Sequence, residues 1–426
     1  MVRSADAVRA GWRARLAGDR PPYGLILAGY AVIVVVLTIA VTITSKAPEY
    51  PSVQTGPAWL DSWFHFDSVW YYTIATGGYS FTPGAESSIA FFPTYPMAVR
   101  GLGALIGDAQ IAGTLISVIC GAAAMCLFAR WVWPRLSRRA AVIAVALMMV
   151  FPYAFFFYGP MYSDPVFLLV VLGAFTLLER RMYWAAGLVG ILATAGRPVG
   201  LAITVGLVVR MLEMQAEART KRTSAAAPTD PSPGLTTAVS PHPTVGPHPT
   251  FREIVAAVPT VRWRQLGVLI SGFGLVGWCV YLWLTFGNPL IWIQAQEAWG
   301  QASGPATWFK LTYVDTVLHG YKLKALSLTA QLVLCVLAVA TLPLVRRFFG
   351  WGYCAYAIVV LAIPLIGTKD FYGTGRYIMV AFPVMAVAAA VIADSHRRWL
   401  APTAFAISIF GLIGAAVLYA MVLPVS

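Results

Sequence analysis

WFHFDSVWYYTIATGGYSFTPGAESSIAFFPTYP, residues 63–96, lies between an apolar run at about 23–44 and a second beginning near 110. It holds Asp67 and Glu86, with Asp61 just before it, among Trp, Tyr and Phe and a proline-broken aromatic run. An aqueous loop has little reason to hold so many aromatics, and a hydrocarbon core has little reason to hold an acid. A wet pocket at a membrane surface, floored by aromatics and working through a carboxylate, accounts for both. The rest of the chain agrees. Of 426 residues, 59% are hydrophobic and 11% charged, against about 25% charged in soluble domains. Repeated apolar stretches near 20 residues long predict an all-α polytopic membrane protein with no room for a large soluble domain.

The formal charge of +13 does not point to nucleic acid. The basic residues sit in short clusters beside apolar stretches, the positive-inside pattern, and membrane lipids with anionic headgroups are their expected partners. The five cysteines lie in apolar stretches without a CxxC spacing, so they read as small core residues. The run at 23–44 is too long for a signal-peptide core and is expected to stay as the first helix.

Charge placement and length together predict about eleven spans. A basic tail (1–22) is cytoplasmic, and the first helix runs outward. A long external loop (45–108) carries short membrane-surface helices. Further helices are expected at about 110–129, 140–158 and 164–179. The stretch 184–212 is split by Gly196-Arg197-Pro198 into two short half-helices with Arg197 at the outer tip. Together 23–212 form an N-terminal transmembrane module. A Pro/Thr/Ser-rich cytoplasmic linker (213–264) follows, disordered over 220–250, where a metal role for His242 and His248 is disfavoured because nothing pre-organises them. A C-terminal module (265–426) has spans at about 265–286, 325–344, 352–367, 377–393 and 400–422. On this topology every basic cluster falls inside, and Asp67, Tyr162, Asp164, Arg197, Gln296, Lys369 and Arg376 fall on the outer face.

Asp67, flanked by His65, Trp70 and Tyr71, is the candidate general base; its bland alternative is a helix N-cap. Tyr162-Ser163-Asp164-Pro165 opens a helix, and an ordinary helix start is the simpler reading of Asp164. Arg197 and Arg376 suit bidentate phosphate binding, with Lys369 beside them in the outer-face set. The alternatives are an internal salt bridge of these arginines with Asp370 or Asp164, and a solvated Lys369-Asp370 pair. Gln296 and Trp299 offer an amide and a ring to a sugar, though an interfacial aromatic belt has the same pattern, and Tyr95 closes the aromatic run. With no nucleotide sugar outside the cytoplasm, a donor there must be lipid-linked. Arginine would then hold its phosphate and a carboxylate would deprotonate the attacking hydroxyl.

Three segments resemble the PIG-V group, the GPI mannosyltransferase II-like enzymes within the polytopic GT-C glycosyltransferases. They are Phe66-Asp67-Ser68 through Ile74-Ala75-x-x-Gly78-Tyr79; Ala90-Phe91-Phe92-Pro93-Thr94-Tyr95-Pro96; and Tyr162-Ser163-Asp164 with Ala193-Thr194-x-x-Arg197-x-x-Gly200. Gln296-x-x-Trp299-Gly300 and Arg376-Tyr377 match more loosely. The resemblance implies a GT-C-like fold and Asp67 as catalytic acid-base residue. It also implies a polyprenyl- or dolichyl-phosphate mannose donor and inversion at the anomeric carbon. Phe66, Trp70, Asp164 and Pro198-Val199 depart from the family pattern, so a GPI acceptor is not carried over. The excess of Arg over Lys and the abundance of Ala hint at a high-GC bacterial source, hence a plasma-membrane enzyme. By analogy its acceptor is a glycolipid or lipoglycan. The same machine with another sugar, such as arabinose, and a lipid-linked-sugar flippase or transporter are the alternatives. No cofactor is required by these residues. A divalent metal stays open, because some related enzymes use one and no ligand cluster is seen beyond Asp67 and its neighbours.

Overall fold

In the computed structural model the described residues are 19–46, 56–226, 248–301 and 304–423, and these fold as helices with no strand. The basic tail as far as residue 18, residues 47–55 of the first loop, and residues 227–247 of the expected disordered linker, His242 included, lie outside them.

The first helix, α1 (Tyr23–Thr44), has no charged residue and buries a single stripe of Ile26, Tyr30, Leu37 and Val41. Its other faces expose Val32, Val35, Ile39 and Ile43. An uncharged 22-residue helix with apolar side chains on its open faces is long enough to cross a bilayer and is suited to lipid. The loop after it carries short helices, as expected. These are a turn at Ala58–Asp61, then α2 (Asp67–Gly77) and α3 (Thr94–Ile106). In α4 (Ala109–Val132) the Asp108 carboxylate caps the first turn, accepting from the Ile111 N–H at 2.8 Å. Then come α5 (Arg138–Val150), α6 (Asp164–Glu179), α7 (Tyr183–Thr194) and α8 (Leu201–Ala226). A 3-10 stretch (Trp263–Gly272) leads into α9 (Phe273–Phe286), followed by α10 (Ile291–Ala298) and α11 (Lys322–Ala340). The chain closes with α12 (Trp351–Gly367), α13 (Thr374–Val380), α14 (Phe382–Asp394) and α15 (Leu400–Ala420).

Among the described residues six stretches are long and apolar enough to span a membrane, and α13 with α14, bent by 79°, makes a seventh if the pair is one span. That is fewer than the eleven expected. The difference is α5, α6, α7 and α12, with 13, 16, 12 and 17 residues. At 1.5 Å per residue they reach about 18–26 Å, less than a hydrocarbon core of about 30 Å. Two of these ends have a local cause. Pro152 ends the helix expected over 140–158 and starts a 3-10 turn. Arg181, at φ 61°, turns the chain sharply after α6.

The break at Gly196-Arg197-Pro198 is present, but its second limb is no half-helix. It runs on to Ala226, well into the expected linker. Residues 213–226 are mostly good helix formers. Arg210 also reaches Glu213 at 2.9 Å and Glu217 at 2.7 Å along the same helix. A short helix at Phe251–Ala257, opened by a Thr250–Glu253 capping box, packs back on α8.

In the packing, α8 lies along α12, α4 along α6, α5 along α14 and α1 along α15. These pairings bring together the N-terminus of α6, the α7–α8 break, the α12–α13 turn and the C-terminal end of α15, all beside α2. At the other end of α6, Glu179 joins Arg210 at 2.9 Å and accepts from the Tyr353 hydroxyl at 3.0 Å.

Candidate functional site

The site begins with a strained turn. Phe66 sits at φ 52°, ψ −123°, a conformation that residues with a Cβ rarely adopt and that costs about 1–3 kcal/mol. Two tyrosines distant in sequence hold it, one on α15 and one in the turn before α6. The Tyr419 hydroxyl, on α15, lies 3.0 Å from the Trp63 carbonyl and 2.9 Å from that of His65. It accepts the His65 N–H at 3.3 Å and meets Ser68 Oγ at 3.3 Å. The Tyr162 hydroxyl accepts the Asp67 N–H at 3.3 Å, and the Phe66 ring packs 5.4 Å from that of Tyr419.

This turn frees the Asp67 carboxylate from capping. Phe66 occupies the N-cap position and no side chain caps α2. Instead Asp67 Oδ2 accepts from Arg376 Nη1 at 3.0 Å. The same nitrogen lies 3.9 Å from Asp164 Oδ2, and Asp164 Oδ1 pairs with Arg197. Four charges therefore alternate, Asp67, Arg376, Asp164, Arg197, and sum to zero. Side-chain exposure falls inward from Asp67 at 27% through Arg376 at 16% to Arg197 at 10% and Asp164 at 3%. Asp67 is the member open to a reactant. Alternation matters because a lone charge at that depth costs several kcal/mol, while a paired one is partly compensated. The guanidinium of Arg376 also lies 5.1 Å from the Phe156 ring and 5.3 Å from that of Tyr162. Arg376 Nε is buried and has no hydrogen-bond partner among the described residues.

One wall is aromatic. Trp70 stacks on Phe91 at 5.8 Å, and Trp299 meets the two edge-on at 5.4 and 5.8 Å. Trp299 arrives from the turn after α10. Lys369 fastens that turn, donating from Nζ to the Trp299 carbonyl at 3.3 Å and from its N–H to Gln301 at 2.9 Å. Gln296 donates to the Ala90 carbonyl at 3.4 Å. The α10 segment thus closes on the first loop across 206 residues of sequence, and Lys369 braces it.

The expected residues separate by depth. Asp67, Trp70, Gln296, Trp299, Lys369 and Arg376 are partly open. Tyr71, Tyr95 and Tyr162 are buried behind them. Tyr71 bonds Ser163 at 2.8 Å, and Tyr95 bonds the Gly113 carbonyl and Ser117, both at 2.9 Å. Burial pushes the Tyr71 hydroxyl well above the usual range. His65 is 1% exposed, packs edge-on to Tyr419, and among the described residues neither ring nitrogen has a hydrogen-bond partner. Burial lowers it to about 4, so it is a neutral packing residue where a substrate contact was expected. Arg197, expected to bind donor phosphate, is engaged by Asp164. Of the two readings of this arginine, the ion pair is the one the side chains adopt, and Asp164 has a partner as well as a helix to start. Lys369 and Asp370 do not form a solvated pair. Asp370 is 2% exposed and accepts the Tyr372 N–H at 2.9 Å.

Tyr419 and Phe156 were not foreseen. A tyrosine closing the last apolar run looks like an interfacial anchor, and Phe156 is one of three consecutive phenylalanines; neither carries a sequence signal. The Asp67 end does not suit a divalent cation, because both carboxylates already face arginine. Among the described residues a metal-like donor grouping occurs elsewhere, at Glu213, Glu217 and His248. Arg210 pairs with both of its carboxylates, and the Trp351 N–H donates to Glu213 at 2.8 Å.

No protein-family model, curated protein or solved structure matches this chain.

Proposed function

We propose that this protein is an inverting glycosyltransferase of the bacterial plasma membrane. It moves a sugar, expected to be mannose, from a polyprenyl phosphate to a glycolipid or lipoglycan on the extracytoplasmic face. The observation that carries this reading is the half-open Asp67 carboxylate held beside Arg376 on an aromatic-walled face at one end of an apolar helix bundle. On this reading α5, α6, α7 and α12 cross beside the longer helices, for about eleven passes of a GT-C-like fold with the N-terminus cytoplasmic.

The chemistry assigned to the site balances without a cofactor. The acceptor hydroxyl gives its proton to Asp67 as its oxygen attacks the anomeric carbon. The bond from that carbon to the phosphate oxygen breaks on the opposite face, the configuration inverts, and polyprenyl phosphate leaves with the electron pair. Arg376 holds the Asp67 carboxylate at 3.0 Å. A donor phosphate drawing the same guanidinium loosens that pair and frees the carboxylate oxygen to face the acceptor hydroxyl. Trp70 and Trp299 supply faces for the sugar.

The test is transfer by purified protein in nanodiscs, with radiolabelled polyprenyl-phosphate mannose and a membrane-lipid extract. Wild type is expected to form a labelled lipid. Asp67→Asn, which keeps the shape, is expected to lose about 10²- to 10⁴-fold. Wild-type turnover in the variant removes Asp67 from the mechanism. Tight donor binding without transfer by the wild type moves the reading to a flippase.

A further inference from the structure

A second feature lies at the far end of α6 from Asp164. There a cavity of about 660 Å³ opens between the start of α1, the end of α4 and the end of α6. Its volume lies within the range of small-ligand sites, about 300–1,000 Å³.

The charges around it do not cancel. Both acids at the rim already have basic partners. Glu179 is held by Arg210 at 2.9 Å and lies 3.6 Å from Arg135, and Asp19 lies 3.6 Å from Arg138. Arg20, Arg130 and Arg180 also line the cavity. Among the described residues, none of these three side chains has an ion pair or a hydrogen bond. All three are exposed, so water screens their mutual repulsion, and an anion placed among them offsets what remains while gaining cationic partners on several sides. Arginine forks match phosphate oxygens in pairs.

Position decides which phosphate. Tyr23 opens α1, Arg130 is in the last turn of α4 and Arg180 directly follows α6, so the arginines ring the ends of apolar helices. Leu27, one turn into α1, is 45% exposed, and Met182 and Trp184 beside Arg180 are 48% and 45% exposed. Cationic rim and open apolar flank together match a ligand with a phosphate at one end and hydrocarbon at the other. We propose that this cavity binds the headgroup phosphate of an anionic phospholipid, with its acyl chains along the exposed face of α1. The site is separate from the Asp67 end and does not rest on the function assigned there.

The test is native mass spectrometry of the full-length protein released from detergent, loaded with phosphatidylglycerol or phosphatidylcholine of the same chains. Wild type is expected to retain phosphatidylglycerol at least about 10-fold better, and R130Q/R180Q to lose most of that preference. Undiminished preference in the double variant, or equal retention of phosphatidylcholine by wild type, overturns the proposal. Displacement of the lipid by millimolar inorganic phosphate assigns the cavity to a soluble phosphate and overturns the lipid assignment. Elution profile and thermal midpoint check that the variant is folded. R20Q, outside every helix, carries the same expectation with a smaller drop should the double variant misfold.

Discussion

Replacing Tyr419 by Phe removes one oxygen and leaves the ring contacts to Phe66, His65 and Trp63 in place. That oxygen accepts the His65 N–H, meets Ser68, and donates to one of two carbonyls, since a hydroxyl has one proton to give. Leaving a buried N–H without an acceptor costs about 1–3 kcal/mol. The strain at Phe66 is of the same size, about 1–3 kcal/mol. The hydroxyl is therefore decisive: without it the φ 52° turn loses the bonds that offset its strain. Local opening of 63–68 is expected to become about 5- to 150-fold more frequent, the factor equivalent to 1–3 kcal/mol. Hydrogen–deuterium exchange in detergent, read on a peptide covering these residues, measures this directly. Transfer activity is expected to fall in the same variant, because a displacement of about 1 Å at a reacting group costs about 10²-fold. Exchange within twofold of wild type would show that the hydroxyl does not hold the turn, and the account of how Asp67 is positioned would fail.

Arg197→Ala and Asp164→Asn each strand a buried partner and are expected to destabilise by about 3–5 kcal/mol. A combined Arg197→Met, Asp164→Leu exchange is expected to cost much less than the two single changes summed, as chemical denaturation in detergent would show. Additive costs would mean that the pair is not coupled. Arg376→Lys keeps the charge but loses the fork, so it is expected to raise the KM for donor more than it lowers kcat; an effect on kcat alone removes Arg376 from phosphate binding. His65 provides a pH test. Its folded value of about 4 lies below the ordinary 6.5, so the unfolded chain binds the extra proton. This contribution to stability is complete above about pH 6.5 and is lost as pH falls toward 4, at most about 3 kcal/mol in all. His65→Leu is expected to flatten that part of the stability profile; an unchanged slope assigns it to other groups.

Membrane residence and helical class were legible in the residues, and so were the first loop with its short helices, the break at Gly196-Arg197-Pro198 and the acid at position 67. Each is a local property. Transfer of a 20-residue apolar run out of water, the missing N–H of a proline, and the cost of an acid among aromatics depend on neighbours in sequence. Helix lengths were less legible, because apolarity continues across Pro152 and helix continues past the apolar residues of α8. Partner choice was not legible at all. Asp67 and Arg376 are 309 positions apart, and Tyr419 reaches His65 across 354. Which arginine faces which carboxylate, and whether His65 is open or sealed, follow from which helix ends the packing brings together. Composition can demand that a buried charge find a partner; only the fold supplies the few ångströms of approach that select Asp164 for Arg197 and leave Arg376 to Asp67.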